Sequence, residues 1–230
     1  RYYAEFMASY LKIPADKVNV VKLGLNLEGH GEARNTVSSD SPFVIGYLAR
    51  ICPEKGLHLL VDAFYRLTQK VASDKIRLKV AGYLGKGDTP YFEEIVSQIE
   101  TWGLGNSFEY LGEVDRQQKV NFLKQLHVLS VPTTYKEPKG LFVLEALANG
   151  VPVVLPNHGG FPELIDATGG GILVDAESPT ATAEGILELM NDPKRREELG
   201  RRGKEAVHQR FSDDIMADET LAVYRKYLST

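Results

Sequence analysis

From Pro42 onward, short apolar runs alternate with stretches whose apolar residues recur at helical spacing. The runs predict strands at 43–48, 76–81, 107–111, 128–131, 151–155 and 171–174. Between them the spacing predicts helices at 56–71, 91–102, 117–125, 140–149 and 161–165, then three in succession at about 179–191, 193–210 and 212–228. The first helix carries Leu57, Leu60, Val61, Phe64 and Leu67 on one stripe. Repeated strand–helix alternation implies a parallel sheet with helices on both faces and right-handed crossovers. Such sheets bind ligands at the carboxyl ends of their strands. Ahead of this series, 1–12 predicts a helix ended by Ile13-Pro14, and 18–23 a short strand closing at Gly24-Leu25-Asn26. Residues 28–42 are polar and aperiodic, and read as a linker or mobile loop.

The chemistry concentrates between Glu137 and Gly160, EPKGLFVLEALANGVPVVLPNHGG. Gly140 or Leu141 starts a short helix that Asn149-Gly150 stops. Glu145 sits among apolar neighbours on that helix, which is costly unless something pairs with the carboxylate. It lies one turn below Leu141, on the same face. A helix start offers free N–H groups and partial positive charge. A ligand with phosphates and hydroxyls would use both, with phosphates on the amides and a sugar diol on Glu145. The alternative is a buried Glu145 paired with an Arg or Lys, and a Glu137 that is only a loop carboxylate.

Other loops contribute charge or close approach. After the first strand, Arg50 and Lys55 flank a loop at a carboxyl end, and two cations there suit a diphosphate. A solvated loop with a Glu54–Lys55 pair is the plain alternative. Gly82 opens a glycine-rich turn, GYLGKG, too generic to name a ligand. Gly112-Glu113-Val114 ends the third strand. Gly159 and Gly160 permit close backbone approach, and Glu163 is well explained by the helix dipole. His158 reads as a satisfied polar side chain. Glu197/Arg201 and Glu198/Arg202 stand at four-residue spacing on a solvated helix face.

At 230 residues, 43% hydrophobic and 25% charged, the chain has an ordinary globular composition. Net charge −4 gives no push toward nucleic acid or an anionic membrane. Cys52 is the single cysteine, which excludes an intrachain disulfide and a thiolate zinc site and suits a reducing, cytoplasmic setting. No apolar run approaches the ~20 residues of a membrane span. The chain begins at Arg1 and reads as a fragment, so peripheral membrane contact is left to parts not present. LARICPEKG after the first strand lacks the dinucleotide glycine fingerprint, which disfavours an NAD dehydrogenase. A Walker-type kinase would need Gly-Lys-Ser/Thr.

Glu137, Pro138, Gly140, Leu141, Glu145, Ala146, Ala148, Gly150, Pro152, Val153 and Val154 match a longer pattern, Glu-Pro-Phe-Gly-Leu-x-x-x-Glu-Ala-x-Ala-x-Gly-x-Pro-Val-Val. With Arg50-x4-Lys55-Gly56 ahead of it, this resembles the family-4 retaining glycosyltransferases, glycogen-synthase-like enzymes of group 1 with the two-domain GT-B fold. The resemblance runs from about Val18 to Leu228. Lys139 departs from it, standing where Phe is usual; it would either add charge near the sugar or simply point to solvent.

The resemblance implies a Rossmann-like donor-binding half of a GT-B enzyme. Residues 1–42 would be a hinge stub and linker from an N-terminal acceptor-binding domain, 43–212 the nucleotide-sugar-binding domain, and 213–230 a closing helix. It implies sugar transfer from a UDP- or GDP-sugar to an acceptor hydroxyl with retention, without metal or cofactor. Arg50, Lys55 and Glu137 would be the catalytic residues, the cations on the diphosphate and Glu137 at the sugar hydroxyls. Gly82, Val114, Lys139, Gly140, Leu141, Phe142 and Glu145 would bind the donor, Glu145 at the ribose. Alone, these residues are expected to bind donor and transfer poorly. A nucleotide-binding regulatory module without catalysis remains an alternative, as does a related GT-B epimerase or phosphorylase.

Overall fold

A computed structural model describes residues 2–32 and 41–228. Six parallel strands form one sheet, β1 (Phe43–Leu48), β2 (Ile76–Ala81), β3 (Phe108–Tyr110), β4 (Val128–Ser130), β5 (Val153–Pro156) and β6 (Gly171–Val174), in the order β3-β2-β1-β4-β5-β6. Every residue of β1, β4 and β5 is buried. Unbroken apolar runs of this kind belong to strands covered on both faces. Helix α1 (Tyr2–Leu11) precedes the sheet, helices α2 (Leu57–Thr68), α3 (Thr89–Thr101), α4 (Arg116–Lys124), α5 (Leu141–Ala148) and α6 (Phe161–Thr168) make the crossovers, and α7 (Pro179–Asn191), α8 (Pro193–Arg210) and α9 (Asp213–Leu228) follow the last strand. The core gathers Ile45, Tyr47, Leu60, Phe64, Val143 and Val154 among many others around the central strands. Helix α2 packs on α7, and α8 packs on α5 and α6. This is the α/β architecture that the alternation implies.

Local chemistry explains the element ends. Asp115 caps α4 in a reciprocal box with Gln118. Ser178 and Asp192 cap α7 and α8. Gly169 ends α6 in the left-handed region. Among the described residues, no helix is long and apolar enough to cross a membrane.

Three expectations need correction. Residues 18–23 form no strand, and Leu25 makes only an isolated bridge to Ser212. The segment's backbone instead borders α9, where Lys22 N–H donates to Glu219 Oε2 at 3.0 Å. β-branched residues favour extension, but a strand needs a neighbour to pair with. Residues 28–32 are tied down rather than loose, as shown below, while 33–40 of the expected linker lie outside the described residues. On α8, Arg201 pairs with Glu198 and Glu205, and Arg202 with Glu198. Glu198 and Glu205, rather than Glu197, supply the carboxylates.

Candidate nucleotide-sugar site

The strand order reverses between β1 and β4, and a crevice at such a point is the usual ligand site of an open α/β sheet. The loops following these two strands are stitched together. Gly56 has φ +72°, and a Cβ there would lie 1.9 Å from the Pro132 carbonyl oxygen, so only glycine lets the loops touch. Thr134 N–H donates to the Glu54 carbonyl at 3.0 Å.

This contact brings Lys55 to Glu137. Lys55 Nζ lies 2.6 Å from Glu137 Oε2 and 2.7 Å from the Tyr135 hydroxyl. The hydroxyl donates in turn to Glu137 Oε2. Oε1 accepts the amides of Lys139 and Gly140 at 3.1 and 3.2 Å. Burial opposes the Lys55 charge, but hydrogen bonds to Glu137 and Tyr135 outweigh it and raise the ammonium above its usual value. Burial likewise opposes the Glu137 charge, and Lys55, Tyr135 and the Lys139 amide outweigh it and lower the carboxyl. Both groups are therefore charged at neutral pH. Lys55 pairs with Glu137 and not with its neighbour Glu54.

The two glycines after β5 complete the Glu137 setting. A Cβ on Gly159, at φ +59°, would meet Glu137 N at 2.8 Å, and Gly160 N–H donates to the Glu137 carbonyl at 2.9 Å. His158 Nε2–H donates to the Thr133 carbonyl at 2.9 Å. Its Nδ1 is buried without a hydrogen-bond partner among the described residues, so the side chain is only half satisfied there.

Helix α5 begins at Gly140, in the left-handed region at φ 59°. Glu137 already occupies the Gly140 amide. The donors at the helix start without a partner among the described residues are the Leu141 and Phe142 amides. Leu141 is exposed, Phe142 buried and Glu145 half-buried, so Leu141 and Glu145 share the open face of an otherwise buried helix. Lys119 of α4 reaches Glu145 Oε1 at 2.5 Å, which supplies the pairing that a carboxylate in this position requires.

Below Glu145, the segment 26–32 is fastened to the domain. Arg116 donates to Asn26 Oδ1 at 2.6 Å and to the Glu28 carbonyl at 2.7 Å. Lys204 donates to the Gly31 carbonyl at 2.6 Å, and Lys124 pairs with Glu32. Buried Asn149 donates to His30 Nδ1 and to the Glu145 carbonyl.

The other residues expected at the site are spread more widely. Arg50 is exposed, and its Nε donates to Cys52 Sγ at 3.4 Å. Gly82 is needed where the β1 and β2 ends meet, since a Cβ would lie 1.8 Å from the Ala49 carbonyl oxygen. Val114 is half-buried beyond the edge strand β3, and Lys139 is exposed. A cavity of about 1030 Å³ opens on the Pro138–Lys139 side, against Tyr2, Tyr3 and Leu164. Arg50, Lys55 and Glu145 do not line it. Lys119 and Asn149 escaped sequence reasoning because their partners are distant in the chain or are backbone groups, and Tyr135 because its contact with Lys55, 80 residues away, depends on the fold.

Comparison with known proteins shows the family and the fold. A family model for group 1 glycosyl transferases matches residues 32–206. A D-inositol 3-phosphate glycosyltransferase of Segniliparus rotundus is 30% identical over 232 residues, which cover 98% of this chain and 50% of the relative. An uncharacterized glycosyltransferase of Methanocaldococcus jannaschii is 29% identical, covering 96% of this chain and 57% of its own. The chain thus spans about half the length of these relatives. Among solved structures, a sucrose-phosphate synthase of Thermosynechococcus elongatus superposes with TM-score 0.81 at 22% identity, covering 98% of this chain and 57% of that one. HepE of Anabaena, in complex with UDP and glucose, superposes with TM-score 0.79 at 23% identity, covering 95% and 58%. Their shared fold is the Rossmann-like half of a GT-B glycosyltransferase, and the chain belongs to the group 1 glycosyl transferase family.

Proposed function

We propose that this chain is the donor-binding half of a retaining glycosyltransferase that uses a nucleoside-diphosphate sugar, UDP- or GDP-linked. The observation that carries the reading is the Lys55–Glu137 pair at the point where the strand order reverses. A cation for the diphosphate and a carboxylate for sugar hydroxyls stand together there, beside a helix start with two open amides. In the reaction, the bond from the anomeric carbon to the diphosphate oxygen breaks. The acceptor oxygen bonds that carbon on the same face, and its proton leaves with the diphosphate. Lys55, Arg50 and the Leu141 and Phe142 amides would stabilise charge growing on the departing phosphate. Glu145 would take the ribose hydroxyls, while Gly82, Val114 and Lys139 would border the donor.

Residues 1–42 would connect to an acceptor-binding domain, 43–212 would hold the donor, and 213–230 would close back toward that domain. The relatives' greater length supports a further domain beside this one. The test is a calorimetric titration of the chain with UDP, GDP and ADP in the absence of added metal. Saturable binding of UDP or GDP over ADP is the expected result. Binding of none, repeated with the complete protein, would remove the donor reading.

A further inference from the structure

Tyr135 lies two residues ahead of Glu137 and has no part in the reading above. Its hydroxyl accepts from Lys55 Nζ and donates to Glu137 Oε2, while Lys55 donates directly to the same oxygen. Three polar groups thus form a closed triangle. The Lys55 ammonium also stands 5.0 Å from the Tyr135 ring centroid and 5.6 Å from that of Phe142, within the range of attraction to an aromatic face. Tyr135 is 36% exposed, whereas the Lys55 side chain is 19% exposed, so the ring stands at the solvent edge of the site. A lysine stem is flexible and its ammonium ordinarily sweeps a wide volume. Two rings and two acceptors hold this one to a single place.

We propose that Tyr135 is the positioning residue of the donor site: it fixes the Lys55 ammonium against Glu137, so that an incoming diphosphate meets a fixed cation and a sugar meets a fixed carboxylate. Tyr135 acts through these two groups and needs no contact with the donor. A side chain already ordered loses less freedom when it takes up a phosphate oxygen. The carboxylate gains in the same way, because Oε2 is held by Tyr135 and Lys55 while Oε1 is held by the Lys139 and Gly140 amides. The proposal rests on the reading of Lys55 as a diphosphate contact, and its test therefore has one arm that needs no nucleotide.

Tyr135→Phe keeps the ring and removes the hydroxyl. The first arm titrates wild type and variant with UDP and with uridine. Loss of a hydrogen bond to a charged group predicts UDP binding weaker by about tenfold, with uridine unchanged. The second arm treats the chain with acetic anhydride and follows each lysine by mass spectrometry. In the wild type, Lys55 is expected to acetylate more slowly than exposed Lys139. In Tyr135→Phe, Lys55 acetylation is expected to rise several-fold, with Lys136 and Lys139 unchanged. Equal loss for UDP and uridine, or no loss for either, overturns the proposal when Lys55 acetylation is also unchanged. If the wild type binds neither ligand, in this chain and in the complete protein alike, the donor reading fails and the second arm alone decides: a rise in Lys55 reactivity supports positioning, and a constant rate overturns it.

Discussion

The Lys119 ammonium lies 2.5 Å from Glu145 Oε1, so the carboxylate proposed to meet the ribose already has a partner. The side chains are 28% and 12% exposed, which leaves an edge of the carboxylate open on the Leu141 face. A ribose diol would add to the Lys119 contact. Glu145→Ala should therefore weaken UDP and uridine alike by about tenfold, the order expected for hydroxyls bonded to a charged group. Unchanged uridine affinity in a calorimetric titration would remove the ribose assignment. Lys119→Ala should lower unfolding free energy by about 1–2 kcal/mol, less than loss of a partner in a fully buried pair. Denaturant unfolding measures it.

Lys55 has the opposite ligand signature. Lys55→Met should cost about 1.5–3 kcal/mol of UDP binding and leave uridine nearly unaffected, because only UDP carries the diphosphate. The same variant tests the pH response. The Glu137 carboxyl is held below its usual value in the folded chain. It therefore contributes stability above the unfolded carboxylate value, and that stability is lost as pH falls through the folded value. With Lys55 removed, a main cause of the lowering is gone. The stability difference between wild type and Lys55→Met should be largest at neutral pH and shrink on acidification below the ordinary carboxylate range. A difference independent of pH would mean that the ion pair does not carry it.

The contrast between these residues shows what a sequence can carry. The strand 43–48 was legible because burial on both faces demands an unbroken apolar run, and 76–81 because its apolar residues alternate with Arg77 and Lys79. The α5 start was legible because Gly140 adopts φ 59°, a conformation that favours glycine. Lys55 and Glu137 each stand out as charges at loop positions, yet their pairing was not legible. It depends on the β1 and β4 loops meeting at Gly56 and Pro132, a tertiary fact. Tyr135 was silent for the same reason. Residues 18–23 misled in the other direction, since a β-branched pattern makes no strand without a neighbour to pair with. The pinned segment 26–32 looked loose because its partners, Arg116, Asn149 and Lys204, are dispersed along the chain.

That segment makes its own prediction through His30. Its imidazole is pushed down to about 4, first by burial and then by Arg116, Lys119, His208 and Lys124. The acceptor role of Nδ1 toward Asn149 agrees with a neutral ring. The folded value lies below the unfolded one, near 6.5, so the unfolded chain binds the proton first as pH falls. Stability is complete above about 6.5, declines as pH falls toward about 4, and has lost up to about 3 kcal/mol by then. His30→Gln should flatten this decline in melts recorded across that window. An identical decline in wild type and variant would assign it to other groups.

Gly82 separates a structural requirement from a ligand contact. Its φ is +150°, and an added Cβ would lie 1.8 Å from the Ala49 oxygen and 3.4 Å from the Arg50 amide. Its N–H donates to the Gly112 carbonyl at 2.8 Å, and its carbonyl accepts from the Tyr110 hydroxyl at 2.9 Å. One residue thus ties together the carboxyl ends of β1, β2 and β3. An alanine must push the Ala49 carbonyl aside in an unfavourable backbone conformation, and Gly82→Ala should lower stability by at least about 2 kcal/mol. UDP affinity should fall as well, since the displaced carbonyl adjoins the loop that carries Arg50. If urea unfolding leaves Gly82→Ala as stable as wild type while UDP affinity drops, the glycine serves donor approach and not the junction of strands. Lost stability that accompanies the lost affinity would place the requirement in the fold.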